Sequence, residues 1–549
     1  MTEKLKPILE ISEELGLKED DLDLCGKYIA KVSFRVLERL KNRKTGKYIF
    51  VTAITPTPLG EGKTVTAIGL SQALNRINKK SICTLRQPSK GPLFGIKGGA
   101  TGGGKSQVLP REEINLHFTG DFHAVGYAHN LLSAILDTHL QKGNKLGFDI
   151  SEIFWPRVVD INDRALRHII IGLGGKADGI PRESFFDITP ASEVMSILSL
   201  SKDLEDLKKR LSRITVGIDQ NRKMICAENL KSPGAMAVVL KKAFNPNLVQ
   251  TLENTPAFIH TGPFANISHG NCSVISDLIA LKLTDYVITE SGFGADCGAE
   301  KLLDIKCRES GLKPDLAVLV ATVRSLMMHG IGFYDKKALE EENLNTLEKG
   351  CRNLQKHIEN LKLFGLPVLV AINVFPEDSE TEVSFLREKS LQAGADEVAV
   401  ADMFVKGGEG GIELAEKAVK LCERGADFKF LYESGGIKEK IEKIARKIYG
   451  AGEVLYYPLA EKRIDLFKSW GLDNLPVCIA KTPYSFSSDP KLKGKPENFR
   501  FPIEDLRPAT GAGYLYALAG DIMTMPGLPT IPAAFNFDLD KDGNISGLT

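Results

Sequence analysis

The 549-residue chain carries no excess of charge of either sign: 71 Lys and Arg stand against 70 Asp and Glu, a formal net charge of +1. Nucleic acid and anionic membranes both select for a strong basic excess, so neither is expected as a partner. Small anions need only local charge and stay open. No Cys-x-x-Cys pair occurs, and the nine cysteines are scattered from Cys25 to Cys478. An odd, unclustered set argues against a disulfide framework or a structural zinc site and fits a reducing cytoplasm. No apolar run approaches the ~20 residues of a membrane span. The opening MTEKLKPILE mixes charges and has no long apolar stretch, unlike a secretory signal. No repeat of 20–50 residues is visible by inspection. With 43% hydrophobic and 26% charged residues, the balance is that of a globular protein of two to four domains.

What the chain does have is a series of short, nearly all-apolar runs: Tyr48–Ile54, His168–Leu173, Tyr286–Thr289, Leu316–Val323 and Pro367–Val374. Runs of strand length without alternation suggest strands buried on both faces, as in parallel sheets. Charged segments with helical spacing lie between them, including Leu198–Ile214 and Leu339–Leu363, and Pro483–Pro502 reads as loop. Alternating strand and helix predict an α/β architecture, with boundaries placed near 285 and 440.

The most informative local pattern is Thr55-Pro56-Thr57-Pro58-Leu59-Gly60-Glu61-Gly62-Lys63-Thr64, between an apolar strand and a segment of helical spacing from Val65 to Ile77. Strand, glycine-rich turn, Lys-Thr and helix form the context of a phosphate-binding loop. Backbone N–H groups of the turn and helix start would face one anion, Lys63 would bridge the β- and γ-phosphates, and the Thr64 hydroxyl would ligate Mg²⁺. Thr57 stands where the common pattern has glycine, and a glycine-rich helix cap is the competing reading. Asn-Lys-x-Asp, which specifies guanine, is absent; the nearest candidate is Asn373-Val-Phe-Pro, which disfavours a GTPase. The next strand-like segment, Ser81–Leu85, ends at Arg86, and ligands in open α/β sheets sit beyond the carboxyl ends of strands. Arg86 is therefore either an anion-holding side chain beside the loop or a surface arginine on a turn. Seven glycines in Gly91–Gly104, and Lys406-Gly-Gly-Glu-Gly-Gly411, are candidate loops around a ligand, or linkers.

Other patterns carry less. His117, His123 and His129 recur every six residues, a spacing that does not stack them on one helix face for a metal. Asp538–Gly543 begins like a calcium loop, but Thr549 falls where glutamate is needed, and a hairpin turn at Asp542-Gly543 is expected instead.

Beyond these patterns the chain resembles the formate–tetrahydrofolate ligase family. The matching stretches are TPTPLGEGKT (55–64), RQPSKGPLFGIKGG (86–99), INLHFTGDFHAV (114–125), RVVDINDRALR (157–167), LVQTLENTPAFIHTGPFANISHG (248–270), ESGFGADCGAEK (290–301), VATVRSLMMHG (320–330), KGGEGG (406–411) and IMTMPGLP (522–529), in family order across nearly the whole chain. The resemblance implies a cytoplasmic homotetramer of monofunctional type that ligates formate to tetrahydrofolate through formyl phosphate. Its ligands would be ATP with Mg²⁺ and tetrahydrofolate, with activation by K⁺ or NH₄⁺. It implies a P-loop NTPase-like, largely parallel sheet domain (1–285), a second α/β domain contributing to the folate and adenine pocket (286–440), and a C-terminal α/β domain (441–549). Carried onto this sequence, it makes Thr55–Thr64 the ATP loop, with Lys63, Arg86 and Asp121 catalytic. Phe293, Phe375, Phe404, Lys406, Gly407 and Gly408 would line the folate and adenine pocket. The sequence departs from the family at Phe404, where tryptophan is expected, at Gln87, where some members have glutamate, and at Lys105, where an aromatic is expected. A P-loop ATPase driving partner docking, or a member without catalysis, are the alternatives.

Overall fold

The computed structural model describes residues 5–97 and 100–548. Its centre is a 12-stranded sheet. In chain order the strands are β1 (Leu22–Leu24), β2 (Ala30–Val32), β3 (Lys47–Ala53), β4 (Ser81–Leu85), β5 (Gly102–Gly103), β6 (Ser106–Leu109), β7 (Asn247–Thr251), β8 (Pro256–Ile259), β9 (Tyr286–Gly294), β10 (Leu316–Ala321), β11 (Val368–Asn373) and β12 (Glu397–Ala401). They lie side by side as β1-β2-β7-β8-β4-β9-β3-β10-β11-β12, with β6 pairing β7 and β5. The run from β8 to β12 is parallel throughout, and the β1-β2-β7-β8 edge is antiparallel.

Parallel strands need cover on both faces, and the alternation of side chains supplies it. Along β3, Tyr48 and Phe50 enter one hydrophobic core while Ile49, Val51 and Ala53 enter the other. All five are 1% exposed or less, which explains why this strand reads as an unbroken apolar run. The expected boundary near 285 falls just before β9, and strands from both sides of it pair in this one sheet: Tyr286 opposite Lys47 on one side, Tyr286 opposite Ser81 on the other. Smaller sheets follow around it, among them Val477–Ala480 with Asp505–Ala509 and Tyr514–Leu518.

Four local expectations change. His168–Leu173 is no core strand: Ile169–Ile171 pairs only with Arg182–Ser184, and Ile170 and Leu173 are 65% and 66% exposed. An apolar run reports strand propensity without reporting what covers it. Leu198–Ile214 is broken into helices Glu193–Leu200 and Leu204–Ser212, because Asp203 caps the second by accepting from the Asp206 amide at 2.7 Å. Gly91–Gly104 is not one loop: helical turns cover Lys90–Lys97 and a hairpin starts at Gly102, while Gly98 and Gly99 lie outside the described residues. Lys406–Gly411 is likewise helical, closing Met403–Lys406 and continuing as a tight turn over Gly407–Gly411. The hairpin expected around Asp542-Gly543 is present, pairing Asp538–Leu539 with Ile545–Ser546.

Candidate functional site

Strand β3 ends at Ala53, and helix α1 (Lys63–Arg76) begins after Gly62. Gly60 and Gly62 both have left-handed backbones, φ 78° and 80°. At Gly62 a side chain is excluded twice, since a Cβ would also lie 2.4 Å from Nδ2 of Asn373. Thr57 is tolerated where glycine is usual because its φ is not positive and its polar atoms are used. Its amide and Oγ1 donate to Oε1 of Glu61 at 2.7 and 3.2 Å, and Oγ1 lies 3.0 Å from Ser325 Oγ. Glu61, 3% exposed, is thereby turned into the loop rather than toward a ligand, with Oε2 3.8 Å from Lys63 Nζ. The amides at the start of α1 and the Lys63 ammonium give this end of the helix the donors and charge that suit an anion.

The loop is held from behind. The Thr55 amide donates to Asn353 Oδ1 at 3.2 Å, Asn353 Nδ2 donates to Thr55 Oγ1 at 3.0 Å and to the Gly494 carbonyl at 2.7 Å, and His357 Nε2 is 3.0 Å from Thr55 Oγ1. His329 Nε2 donates to the Thr55 carbonyl at 2.8 Å, and its Nδ1 accepts from the Gly494 amide at 3.2 Å. That pattern requires the neutral Nε2–H tautomer. Burial supports it, pushing His329 down to about 4 and His357 down to about 3.

Arg86 emerges at the carboxyl end of β4, two strands from the loop strand. Its Nη1 donates to the Pro263 carbonyl at 3.0 Å, Nη2 is 3.7 Å from Glu290 Oε1, and Nε is buried with no partner. Gly292 makes room for the guanidinium, since a Cβ there would lie 2.9 Å from Nη2. Glu290, on β9 between β4 and β3, joins the two halves: its Oε2 accepts from Thr64 Oγ1 at 2.8 Å. The structure thus brings Lys63, Thr64 and Arg86 to one edge, with Glu290 between them. Thr261, a β-branched residue at φ 52°, and Phe293, at φ 57°, hold strained backbones at the ends of β8 and β9 on the same edge.

Asp121 is not brought into that cluster. Its two carboxylate oxygens accept from Lys31 Nζ and Asn247 Nδ2, each at 2.8 Å, and the residue is 2% exposed. The adjacent Phe122 reaches the edge instead, close against Gly262. Phe293, near the end of β9, and Phe375, just after β11, are half-buried on either side of β3, one strand and two strands away, and the Arg324 guanidinium lies 5.0 Å over the Phe375 ring. Phe404 is 56% exposed. It covers the hairpin after β5, where a Cβ on Gly104 would meet its carbonyl oxygen at 2.0 Å, and the Lys105 amide donates to that oxygen at 2.8 Å. Lys406 is paired with Asp402 at 3.0 Å, and the Gly408 amide donates to Glu253 Oε1 at 2.8 Å, so that amide faces a carboxylate of the chain itself. Gly407, at φ 65°, packs against the same carboxylate. The Gln87 amide bonds the Thr261 carbonyl at 2.6 Å, and its buried Oε1 has no partner. A cavity of about 1290 Å³, lined by Trp155, Arg167, Arg182 and Arg507 among others, contains none of these residues.

Glu290, Asn353 and His329 are not singled out by the sequence patterns, and Asn373 enters them only as the nearest candidate for a guanine motif. For Glu290 a signal existed: it directly follows the apolar run Tyr286–Thr289, at the carboxyl end of a buried strand. A family model described as formate--tetrahydrofolate ligase matches residues 1–549. A protein of that name from Desulforamulus reducens (strain ATCC BAA-1160 / DSM 100696 / MI-1) is 55% identical over 549 residues, covering 99% of this chain and 97% of the relative. One from Symbiobacterium thermophilum is 54% identical over 547 residues, covering 99% and 98%.

Proposed function

The chain belongs to the formate–tetrahydrofolate ligase family, and we propose from that premise how its residues perform the reaction. It ligates formate to tetrahydrofolate at the expense of ATP, giving 10-formyltetrahydrofolate, ADP and phosphate. Formate is a poor acyl donor because oxide is a poor leaving group. Moving the γ-phosphoryl group onto a formate oxygen makes a mixed anhydride that can expel phosphate. Phosphoryl transfer of this kind calls for positioning and charge neutralisation more than for a protein nucleophile. Lys63 and the amides of residues 55–64 hold the ATP phosphates. Arg86 holds the formyl phosphate through a planar, two-pronged contact. N10 of tetrahydrofolate then attacks the formyl carbon, the C–O bond to phosphate breaks, and N10 gives up its proton.

Mg²⁺ fits the residues present. The Thr64 hydroxyl and the Glu290 carboxylate are hard oxygen donors 2.8 Å apart beside the phosphate loop, and the ion would neutralise charge on the transferring phosphoryl group. Phe293, Phe375 and Phe404 serve the flat rings of pterin and adenine, and Asp121 acts from behind the edge by fixing the start of its helix. Activation by K⁺ or NH₄⁺, tetrameric assembly and a cytoplasmic location belong to the same reading.

The observation that supports it most is the meeting of Thr64 and Arg86 at Glu290, which sets a phosphate loop and an anion-binding arginine on one edge. The test is ADP release with each substrate left out in turn. Release that depends on formate, with formyl transfer that depends on tetrahydrofolate, is expected. Equal ATP turnover without formate would instead mark an ATPase of another kind.

A further inference from the structure

Glu290 is poorly satisfied for a buried carboxylate. It is 8% exposed, yet among the described residues its side chain's polar contacts are a neutral hydroxyl, Thr64 Oγ1 at 2.8 Å, and an arginine nitrogen 3.7 Å away, beyond hydrogen-bond reach. A carboxylate offers about four lone-pair sites, and leaving a buried charge incompletely paired is costly. Arg86 is equally unfinished, with a buried Nε that has no partner and Nη1 given to a backbone carbonyl. Two opposite charges placed this close, without closing on each other, form a site for a ligand that brings both signs: a cation for Glu290 and an anion for Arg86.

We propose that Glu290 is the protein carboxylate that holds the divalent cation accompanying ATP, with Thr64, and that cation binding draws its charge away from Arg86 and leaves the arginine to the transferring anion. The position suits the role. Glu290 lies midway along β9, where that strand's regular pairing ends with the phosphate-loop strand on one side and the Arg86 strand on the other, Glu290 standing opposite Val51 and Thr289 opposite Thr84. Its backbone is thus held between two strands, and its carboxylate meets Thr64 at the start of the helix that follows the loop. The inference rests on reading residues 55–64 as the ATP loop and assigns that site its metal-holding acid.

The test is binding, not turnover. Mn²⁺ serves as a paramagnetic probe of the cation, and its affinity for the protein–ATP complex is read by electron paramagnetic resonance for the natural chain, Glu290→Gln and Glu290→Asp. ATP affinity in EDTA is measured alongside. Glu290→Gln keeps an acceptor for Thr64 but loses the charge, so Mn²⁺ is expected to bind about 10- to 100-fold more weakly, the range for carboxylates that support a metal site. Metal-free ATP should bind as well or more tightly, because the charge competing for Arg86 is gone. Glu290→Asp keeps the charge but draws it back and should lose less Mn²⁺ affinity; it carries the test if the glutamine variant does not fold. Unchanged Mn²⁺ affinity in a folded Glu290→Gln, with ATP still bound, would overturn the metal assignment alone. Failure of the natural chain to bind ATP would overturn the loop reading and this assignment with it.

Discussion

At the scale of single residues, Lys63 and Arg86 make different demands on their replacements. The Lys63 side chain is 13% exposed and directly follows Gly62 at the start of α1. Lys63→Ala should fold normally and lose activity by a factor of about 10² or more, the cost of one preorganised charge contact; near-normal turnover would remove the phosphate-loop assignment. Arg86 offers the geometry of a fork, with Nη1 on a carbonyl, Nη2 3.7 Å from Glu290 Oε1 and Nε unpartnered among the described residues. Arg86→Lys should therefore bind ATP yet form formyl phosphate poorly, since a point charge cannot make a two-pronged contact; full activity in the lysine variant would exclude that role. Phe404, at 56% exposed, lies outside the cores. Phe404→Ala should change the unfolding temperature little while weakening folate or nucleotide affinity, and Phe404→Trp should tighten it modestly, by about 0.5–1.5 kcal/mol of added stacking at most. Ligand titration with thermal unfolding checks both, and unchanged affinity in Phe404→Ala would take this residue out of the pocket.

At the scale of elements, the start of the loop 55–64 is held by a helix far along the chain. The helix Leu344–Leu363 starts with Asn343 accepting from the Thr346 amide at 3.0 Å and packs closely on Val323–Ile331, where a Cβ on Gly350 would lie 1.9 Å from the Leu326 carbonyl. That close approach presents Asn353 and His357 to Thr55. Asn353 meets both the amide and the hydroxyl of Thr55, so Asn353→Ala leaves buried groups unpaired and should cost about 1–3 kcal/mol of stability. Because it loosens the start of the loop, it should also raise the KM for ATP more than it lowers kcat. A denaturant titration and an ATP saturation curve together test this; a loss of stability with an unchanged KM would make Asn353 a packing residue only.

At the scale of the whole molecule, the last hundred residues are tied to the central sheet through buried charge. Lys481, just after Val477–Ala480, pairs with Asp296, just after β9, at 2.8 Å, and both side chains are fully buried. The Lys481 ammonium also donates to the Thr482 carbonyl at 3.1 Å and to the Ser485 carbonyl, and Gly494 of the same segment meets Asn353 and His329 behind the loop. Removing one member of a buried pair strands the other, so Lys481→Met should destabilise by about 3–5 kcal/mol in equilibrium unfolding, and adding Asp296→Asn should recover part of it. A loss below about 1 kcal/mol in the single variant would show that the pair does not carry the junction.

The sequence by itself determined the features that depend on a few neighbouring residues. Strands buried on both faces announce themselves as apolar runs, a glycine-rich turn before Lys63-Thr64 announces a tight turn into a helix, and a strand that ends before Arg86 sets that residue at the carboxyl edge of the sheet. Strand order, by contrast, is a property of which runs lie side by side, and local patterns do not encode it. Only the tertiary structure put β9 between β3 and β4, carrying the sheet across residue 285 and Glu290 to the point between Thr64 and Arg86. Only it committed Asp121 to Lys31 and Asn247, left Ile169–Ile171 outside the cores, and set Asn353 behind Thr55. Each of these is a contact between residues far apart in the chain, where packing and the pairing of buried charge decide the outcome.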